Sequence, residues 1–103
     1  MIIIRSKNNI PVRLTKERWE HIIGGHPEMH DQKERVMETL REPDYIQQGD
    51  FEELIAVKFY EDTPFGAKYM VVIYKETSID DGFILTAYLT RMPSQSRRTV
   101  WKP

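Results

Sequence analysis

Apolar residues recur at helical spacing in the first half of this chain and at every second position in much of the other half. Before the helical part, Ile2–Ile4 and Ile10–Leu14 predict two short strands, because runs rich in β-branched residues favour extended backbone. Trp19, Ile22 and Ile23 then form a stripe at i, i+3 and i+4, which predicts an amphipathic helix with one buried face.

Two helices are predicted, each with its own start and stop signals. The first begins after Thr15, whose hydroxyl is a good N-cap acceptor, and ends at Gly24–Gly25, which favour a left-handed C-cap. The second begins after Asp31 as its N-cap and ends near Arg41, because a proline follows two residues later. Its buried stripe is expected to contain Val36, Met37 and Leu40.

Three longer strands are predicted after the helices, at Leu54–Tyr60, Lys68–Tyr74 and Phe83–Arg91, with turns rich in Gly, Pro and Asp between them. Alternation in the last strand is expected to place Phe83, Leu85, Ala87 and Leu89 on one face and Thr86, Tyr88 and Thr90 on the other. This order of elements predicts an α+β domain, with two short N-terminal helices packed on one face of an antiparallel sheet. The opposite face is expected to be partly open.

The length of the chain allows one hydrophobic core. Its 103 residues predict a single domain, with a core over about 10–91 and a C-terminal tail over 92–103. A composition of 40% hydrophobic and 30% charged residues is typical of a soluble globular protein, and no apolar run is long enough to cross a bilayer. The chain has no cysteine, which excludes disulfides and thiolate nucleophiles. We therefore expect a cytoplasmic protein without a membrane partner.

Charge is unevenly distributed, although the net charge is only −1. Residues 28–62 contain eleven acids against four Lys or Arg, whereas residues 82–103 contain no acid. The cations of that last segment are Arg91, Arg97, Arg98 and Lys102. The first twenty residues are also basic, so a basic face for phosphate would form if the two ends meet. A solvated basic tail is the alternative.

Two imidazoles flank the predicted end of the first helix, His21 in its last turn and His26 after the glycines. Histidine titrates near neutral pH, so this pair suits an acid and a base, whereas a helix cap and a loop residue are the structural alternatives. The strands add Lys58, Tyr60, Thr86, Tyr88, Thr90 and Arg91. This set suits phosphodiester cleavage by a ribose 2′-hydroxyl, with Arg91 or Lys58 stabilising the charged phosphorane and no cofactor required.

Three segments resemble the phage- and mobile-element-borne relatives of the barnase–EndoU–colicin E5/D–RelE (BECR) fold nucleases. They read LTKERWEHIIGGHPEM, VMETLREPDYI and MVVIYKE followed by GFILTAYLTRMP, with Trp101 close behind, and span about residues 10–101. The resemblance implies a metal-independent endoribonuclease of toxin or effector type, with an mRNA or tRNA substrate and an antitoxin or immunity protein as partner. It places at the cleft His21, His26, Thr86, Tyr88, Thr90 and Arg91. Further contacts to the substrate are expected from Lys58, Tyr60, Arg97 and Arg98.

Two other functions stay open at this point. His21, His26 and His30 lie near several acids and offer ligands for zinc or another divalent ion, but their spacing does not match a helical HExxH arrangement. A non-catalytic binding module with the same fold would use the basic ends for an anionic partner and the acidic middle for a basic one.

Overall fold

The computed structural model describes all of residues 1–103 and contains two α-helices, a short 3-10 turn and seven strands. The helices are α1 (Lys16–Gly25) and α2 (Lys33–Arg41), with the 3-10 turn at Pro27–Met29 between them. The strands are β1 (Ile2–Arg5), β2 (Pro11–Leu14), β3 (Tyr45–Gln48), β4 (Leu54–Thr63), β5 (Gly66–Ser78), β6 (Asp81–Thr90) and β7 (Thr99–Trp101). Neither helix has the length and apolar character that a membrane span requires. The α+β class and the two helices are confirmed.

The strands form one sheet in the order β1-β2-β6-β5-β4-β3-β7. Every neighbouring pair is antiparallel except β2 and β6, so the expectation of a wholly antiparallel sheet is wrong at this pair. The parallel pairing is short, from Val12 opposite Gly82 to Arg13 opposite Phe83. Arg13 strengthens it by donating two hydrogen bonds, of 2.8 and 3.1 Å, to the carboxylate of Asp81. Beyond Phe83, the outer edge of β6 has no strand partner.

The start of α1 agrees with the prediction, but its end does not. Thr15 Oγ1 accepts a 3.0 Å hydrogen bond from the backbone amide of Arg18. Gly24–Gly25 belong to the helix itself, and the C-cap is His26 with a φ of −136°, so the left-handed cap is wrong. Proline at position 27 explains this, because it restricts the preceding residue to extended backbone. The helix therefore delivers His26 directly from its last turn.

Asp31 does not cap α2 as predicted. The N-cap position belongs to Gln32, which makes no side-chain capping hydrogen bond. The Asp31 carboxylate instead accepts a 3.1 Å hydrogen bond from the side-chain amide of Gln32. On the inner face of α2, Val36 and Leu40 are fully buried as expected, together with Thr39 rather than Met37.

Two hydrophobic clusters lie on the two sides of the sheet. The larger one joins both helices to five strands and contains Ile4, Val12, Leu14, Trp19, Ile22, Met29, Val36, Leu40, Ala56, Met70, Val72, Tyr74, Ile84 and Ala87. The smaller one contains Ile55, Val57 and Val71. Because these three residues alternate along β4 and β5 with Ala56, Met70 and Val72, they point to the opposite face. We call this second side the open face.

A β-bulge in β6 changes the predicted alternation. Ile73 pairs with Thr86, and Tyr74 pairs with Ile84, so Leu85 has no partner on β5. An extra residue reverses the side to which the preceding residues point, which explains why Ile84 is buried in the larger cluster. The prediction that Phe83, Leu85 and Ala87 share one face is therefore wrong.

The hydroxyl of Tyr74 is a weak point in the larger cluster. Its ring is fully buried, and its oxygen has no hydrogen-bond partner. We expect Tyr74→Phe to raise the free energy of unfolding by about 1 kcal/mol, because an unsatisfied buried polar group is removed. Burial also raises the pKa of Tyr74 above the ordinary tyrosine value of 10.0. The contribution of the neutral phenol to the free energy of unfolding is therefore complete below pH 10.0 and is lost as the pH rises above that value. The variant should therefore lose less stability on alkaline titration.

Urea unfolding at neutral and alkaline pH measures both effects. Tyr60→Phe is the matched control, because the Tyr60 hydroxyl donates a 2.5 Å hydrogen bond to Glu38, and its loss should destabilise the fold. A Tyr74→Phe protein less stable than the wild type at neutral pH would contradict the prediction.

Candidate functional site

Helix α1 runs alongside the unpaired edge of β6. Near the start of the helix, Arg18 Nη1 donates a 3.4 Å hydrogen bond to the carbonyl of Leu85. At its end, the ring of His26 stacks on Tyr88 with a centroid distance of 5.5 Å and an interplanar angle of 28°. These two contacts lie in the same order along both elements, so the helix and the strand run in the same direction.

The stack brings His26 to the open face of the sheet. Tyr88 pairs with Val71 and packs against the smaller cluster, which places its ring on that face. The His26 side chain is 39% exposed, and its Nδ1 lies 3.7 Å from a carboxylate oxygen of Glu28. Neither ring nitrogen makes a hydrogen bond within the protein, and Nε2 also has no ion-pair partner, so Nε2 is open to a ligand.

His21 lies on α1 between the two points at which the helix contacts β6. It follows Arg18 by three residues, and side chains at this spacing are neighbours on one side of a helix. The side chain is exposed and makes no hydrogen bond, ion pair or ring contact. Both predicted histidines therefore belong to the helix segment beside β6, although only His26 contacts a residue of the predicted strand.

The remaining polar positions at this end of β6 differ in their availability. Thr86 pairs with Ile73, two residues before Tyr88 on the open face. Thr90 Oγ1 is used in the turn that follows, where it accepts a 3.3 Å hydrogen bond from the amide of Met92. Arg91 is exposed and has no ion-pair partner. Of the hydroxyl and cationic groups predicted here, Thr90 has a structural contact, and Arg91 is free for a ligand.

Lys58 and Tyr60 lie on the other face of the sheet, away from Tyr88. Lys58 pairs with Met70 of the larger cluster, and its Nζ donates a 2.8 Å hydrogen bond to the carbonyl of Glu42. Burial and the hydrogen bond to Glu38 raise the pKa of the Tyr60 hydroxyl. These two expected substrate contacts are therefore separated from Tyr88 by the sheet, and both side chains hold α2 and the residue after it.

The C-terminal tail is part of the fold. Its last strand, β7, pairs with β3, and the backbone amide of Gln48 donates to the carbonyl of Arg98. Arg97 forms two hydrogen bonds, of 2.9 and 3.3 Å, to the carboxylate of Asp50. The ion pair raises the pKa of Arg97 and lowers that of Asp50, so this predicted substrate contact already has an anionic partner. The Arg98 side chain is exposed and unpaired.

The N-terminal and C-terminal parts of the chain touch at one cation–π contact. The Lys7 ammonium lies 4.8 Å from the centre of the Trp101 ring, a cation–π contact between the β1–β2 turn and β7. This contact joins one cation of the N-terminal part of the chain to the C-terminal tail.

An open groove of about 570 Å³ lies on the open face between β3, β5 and the tail. Its walls include Tyr45 and Tyr69, with the amides of Gln47 and Gln95 and the cation Lys102. Sequence reasoning missed these residues, because β5 is apolar at successive positions and gives no signal of which face is open. The hydrogen bond from Gln47 to the carbonyl of Ser94, which closes one side, joins positions far apart in the chain.

No three side chains of His, Asp or Glu come together as a group that could hold a metal ion. His21, His26 and His30 therefore do not form the cluster that the metal-site alternative requires. Comparison with protein-family models, with curated proteins and with solved structures found no match to this chain.

Proposed function

We propose that this protein is a metal-independent endoribonuclease of the toxin or effector type, with a BECR-like arrangement of two N-terminal helices on one face of its sheet. The observation that carries the proposal is the stack of His26 on Tyr88 at the open face. It joins an imidazole with an unpaired Nε2 to the strand that also presents Thr86 and leads to Arg91. Acid–base chemistry on a phosphodiester needs such groups within reach of one substrate atom.

The proposed reaction is transfer of the phosphoryl group within the RNA chain. One of His21 and His26 removes the proton of a ribose 2′-hydroxyl, and that oxygen attacks the adjacent phosphorus. The bond from phosphorus to the 5′-oxygen breaks, and the other histidine protonates this oxygen. The products are a 2′,3′-cyclic phosphate and a 5′-hydroxyl end. No step requires a metal ion or another cofactor.

Arg91 is proposed to stabilise the charge that develops on the phosphorane. Its side chain is exposed at the end of β6, three residues after Tyr88, and no acid of the protein neutralises it. A guanidinium can donate two parallel hydrogen bonds to phosphate oxygens, which makes the contact strong and directional. Thr86 on the open face and the exposed Arg98 of the tail would supply weaker contacts to the RNA. The substrate would be an mRNA or a tRNA in the cytoplasm, and an antitoxin or immunity protein would restrain the activity.

A non-catalytic binding module is the second candidate. It is favoured by the contacts that Thr90 and Arg97 make within the protein, since both groups were expected to act on the substrate. The fold would then keep the open face for an anionic partner without turnover.

Cleavage of total RNA by the purified protein in excess EDTA tests the proposal. We expect cleavage that resists the chelator and yields 2′,3′-cyclic phosphate ends, because only side chains and the 2′-hydroxyl take part. A matched reaction with 2′-O-methyl RNA should give no product. Cleavage that EDTA abolishes, or products with 3′-hydroxyl ends, would contradict the mechanism, and the absence of cleavage would favour the binding module.

A further inference from the structure

The groove lined by Tyr45 and Tyr69 adjoins the candidate active site. Tyr69 pairs with Thr90, and Val71, two residues on, pairs with Tyr88. Tyr45, Val57, Val71 and Tyr88 lie opposite one another on four neighbouring strands, so the two tyrosines stand at the ends of a row whose middle members, Val57 and Val71, are buried. Three steps between strands separate the ends of this row, a distance of about 14 Å.

We propose that this groove binds unpaired bases of single-stranded RNA next to the phosphate that is cleaved. The choice of RNA as the ligand rests on the proposed ribonuclease function, whereas the position of the site is inferred from the residues that line the groove. Aromatic rings on an open sheet stack on bases, as in the four-stranded sheets that bind two or three nucleotides of RNA. Tyr45 and Tyr69 are the rings of the groove on which unpaired bases can stack.

The polar groups of the groove suit the edges of bases. Gln47 donates its side-chain N–H to the carbonyl of Ser94, and Gln95 donates to the carbonyl of Pro93. Gln47 is buried, whereas Gln95 is exposed, and its side-chain oxygen remains free to accept a hydrogen bond from a base amino or imino group. The hydroxyls of Tyr45 and Tyr69 have no partner within the protein and can donate or accept. The groove therefore offers hydrogen-bond donors and acceptors beside two aromatic rings on which bases can stack.

The charge of the groove is compatible with a phosphate backbone. Lys102 lines it and has no acidic partner, whereas Arg97, which also lines it, is already paired with Asp50. Asp44 is the one acid in the lining. Its carboxylate accepts a 2.7 Å hydrogen bond from the amide of Phe59 and lies 3.8 Å from Lys58 Nζ, so its charge is balanced. A duplex would not suit the site, because its base faces are already stacked.

Binding of a labelled 2′-O-methyl oligouridine, followed by fluorescence anisotropy, tests the inference separately from catalysis, since this probe has no 2′-hydroxyl to attack. We expect Tyr45→Ala and Tyr69→Ala each to weaken binding about tenfold, the loss typical of one stacked base. Tyr69→Phe keeps the ring and should retain most of the affinity. Phe65→Ala removes an aromatic side chain that is 50% exposed outside the groove and should leave the affinity unchanged.

Lys102→Ala tests the groove without risk to the core, because this side chain is exposed beyond β7. We expect weaker binding and a slope of log affinity against log salt that is smaller by about 0.7, as for one lost phosphate contact to a single strand. Wild-type affinity in both tyrosine-to-alanine variants, or equal affinity for the annealed duplex, would overturn the inference. If the protein binds oligouridine but does not cleave RNA, only the ribonuclease proposal is overturned. If it cleaves RNA but binds oligouridine equally well without the Tyr45 and Tyr69 rings, only this inference is overturned.

Discussion

Replacing His26 with alanine is expected to lower RNA cleavage at least about 100-fold, the usual contribution of a general acid or base. The side chain is part-exposed at the end of α1, so its loss removes the imidazole without opening the core. The melting temperature should stay close to that of the wild type. Initial cleavage rates and thermal unfolding of the same preparations give both readings.

His21→Ala is expected to cause a loss of similar size, because the proposed reaction needs a second proton-transfer group on the same side of α1. His30→Ala is the matched control, since this exposed histidine follows the 3-10 turn and its side chain makes no hydrogen bond, ion pair or ring contact with β6. Wild-type rates in both the His21 and the His26 variants would exclude the two-histidine mechanism. A loss only in the His26 variant would keep the site but assign the second proton transfer to another group or to water.

Replacing Trp19 with alanine is expected to lower the free energy of unfolding by roughly 3–5 kcal/mol, the cost of deleting a large buried aromatic side chain. Trp19 is 7% exposed and belongs to the larger cluster, which confirms the buried helical stripe predicted from the sequence. The Lys33 ammonium also lies 5.3 Å from its ring centre and helps to cover it. The loss is a large share of the 5–15 kcal/mol that stabilises a typical domain.

Urea or thermal unfolding measures this loss, with Trp101→Ala as the control. Trp101 lies on the edge strand β7 outside both clusters and is only part-buried, so its removal should cost less. A Trp19→Ala protein that melts within a degree or two of the wild type would refute the importance of this contact. Comparing the two variants separates the contribution of core packing to stability from the contribution of attaching the C-terminal tail.

Local chemistry determined most of the helices and strands from the sequence alone. Thr15 caps α1 because a hydroxyl at that position satisfies an otherwise unpaired amide, and this depends on residues only three apart. Alternation along the chain indicates β4 and β6, and a continuous apolar run indicates β5. Asp and Gly at 80–82 indicate the turn before β6. His21 and His26 could be predicted beside the end of one helix for the same reason. These features depend on neighbours in the chain.

Tertiary structure alone decided which strand faces meet and what lies on them. The bulge at Leu85 comes from the register between β5 and β6, and no local pattern reports a register. Lys58 and Tyr60 lie two residues apart on one face of β4, but the side of the sheet that this face occupies depends on where α2 packs. Pairing of the tail with β3 likewise joins residues about fifty positions apart. Short-range periodicity determines the elements, whereas the open face and its groove arise from contacts between distant segments.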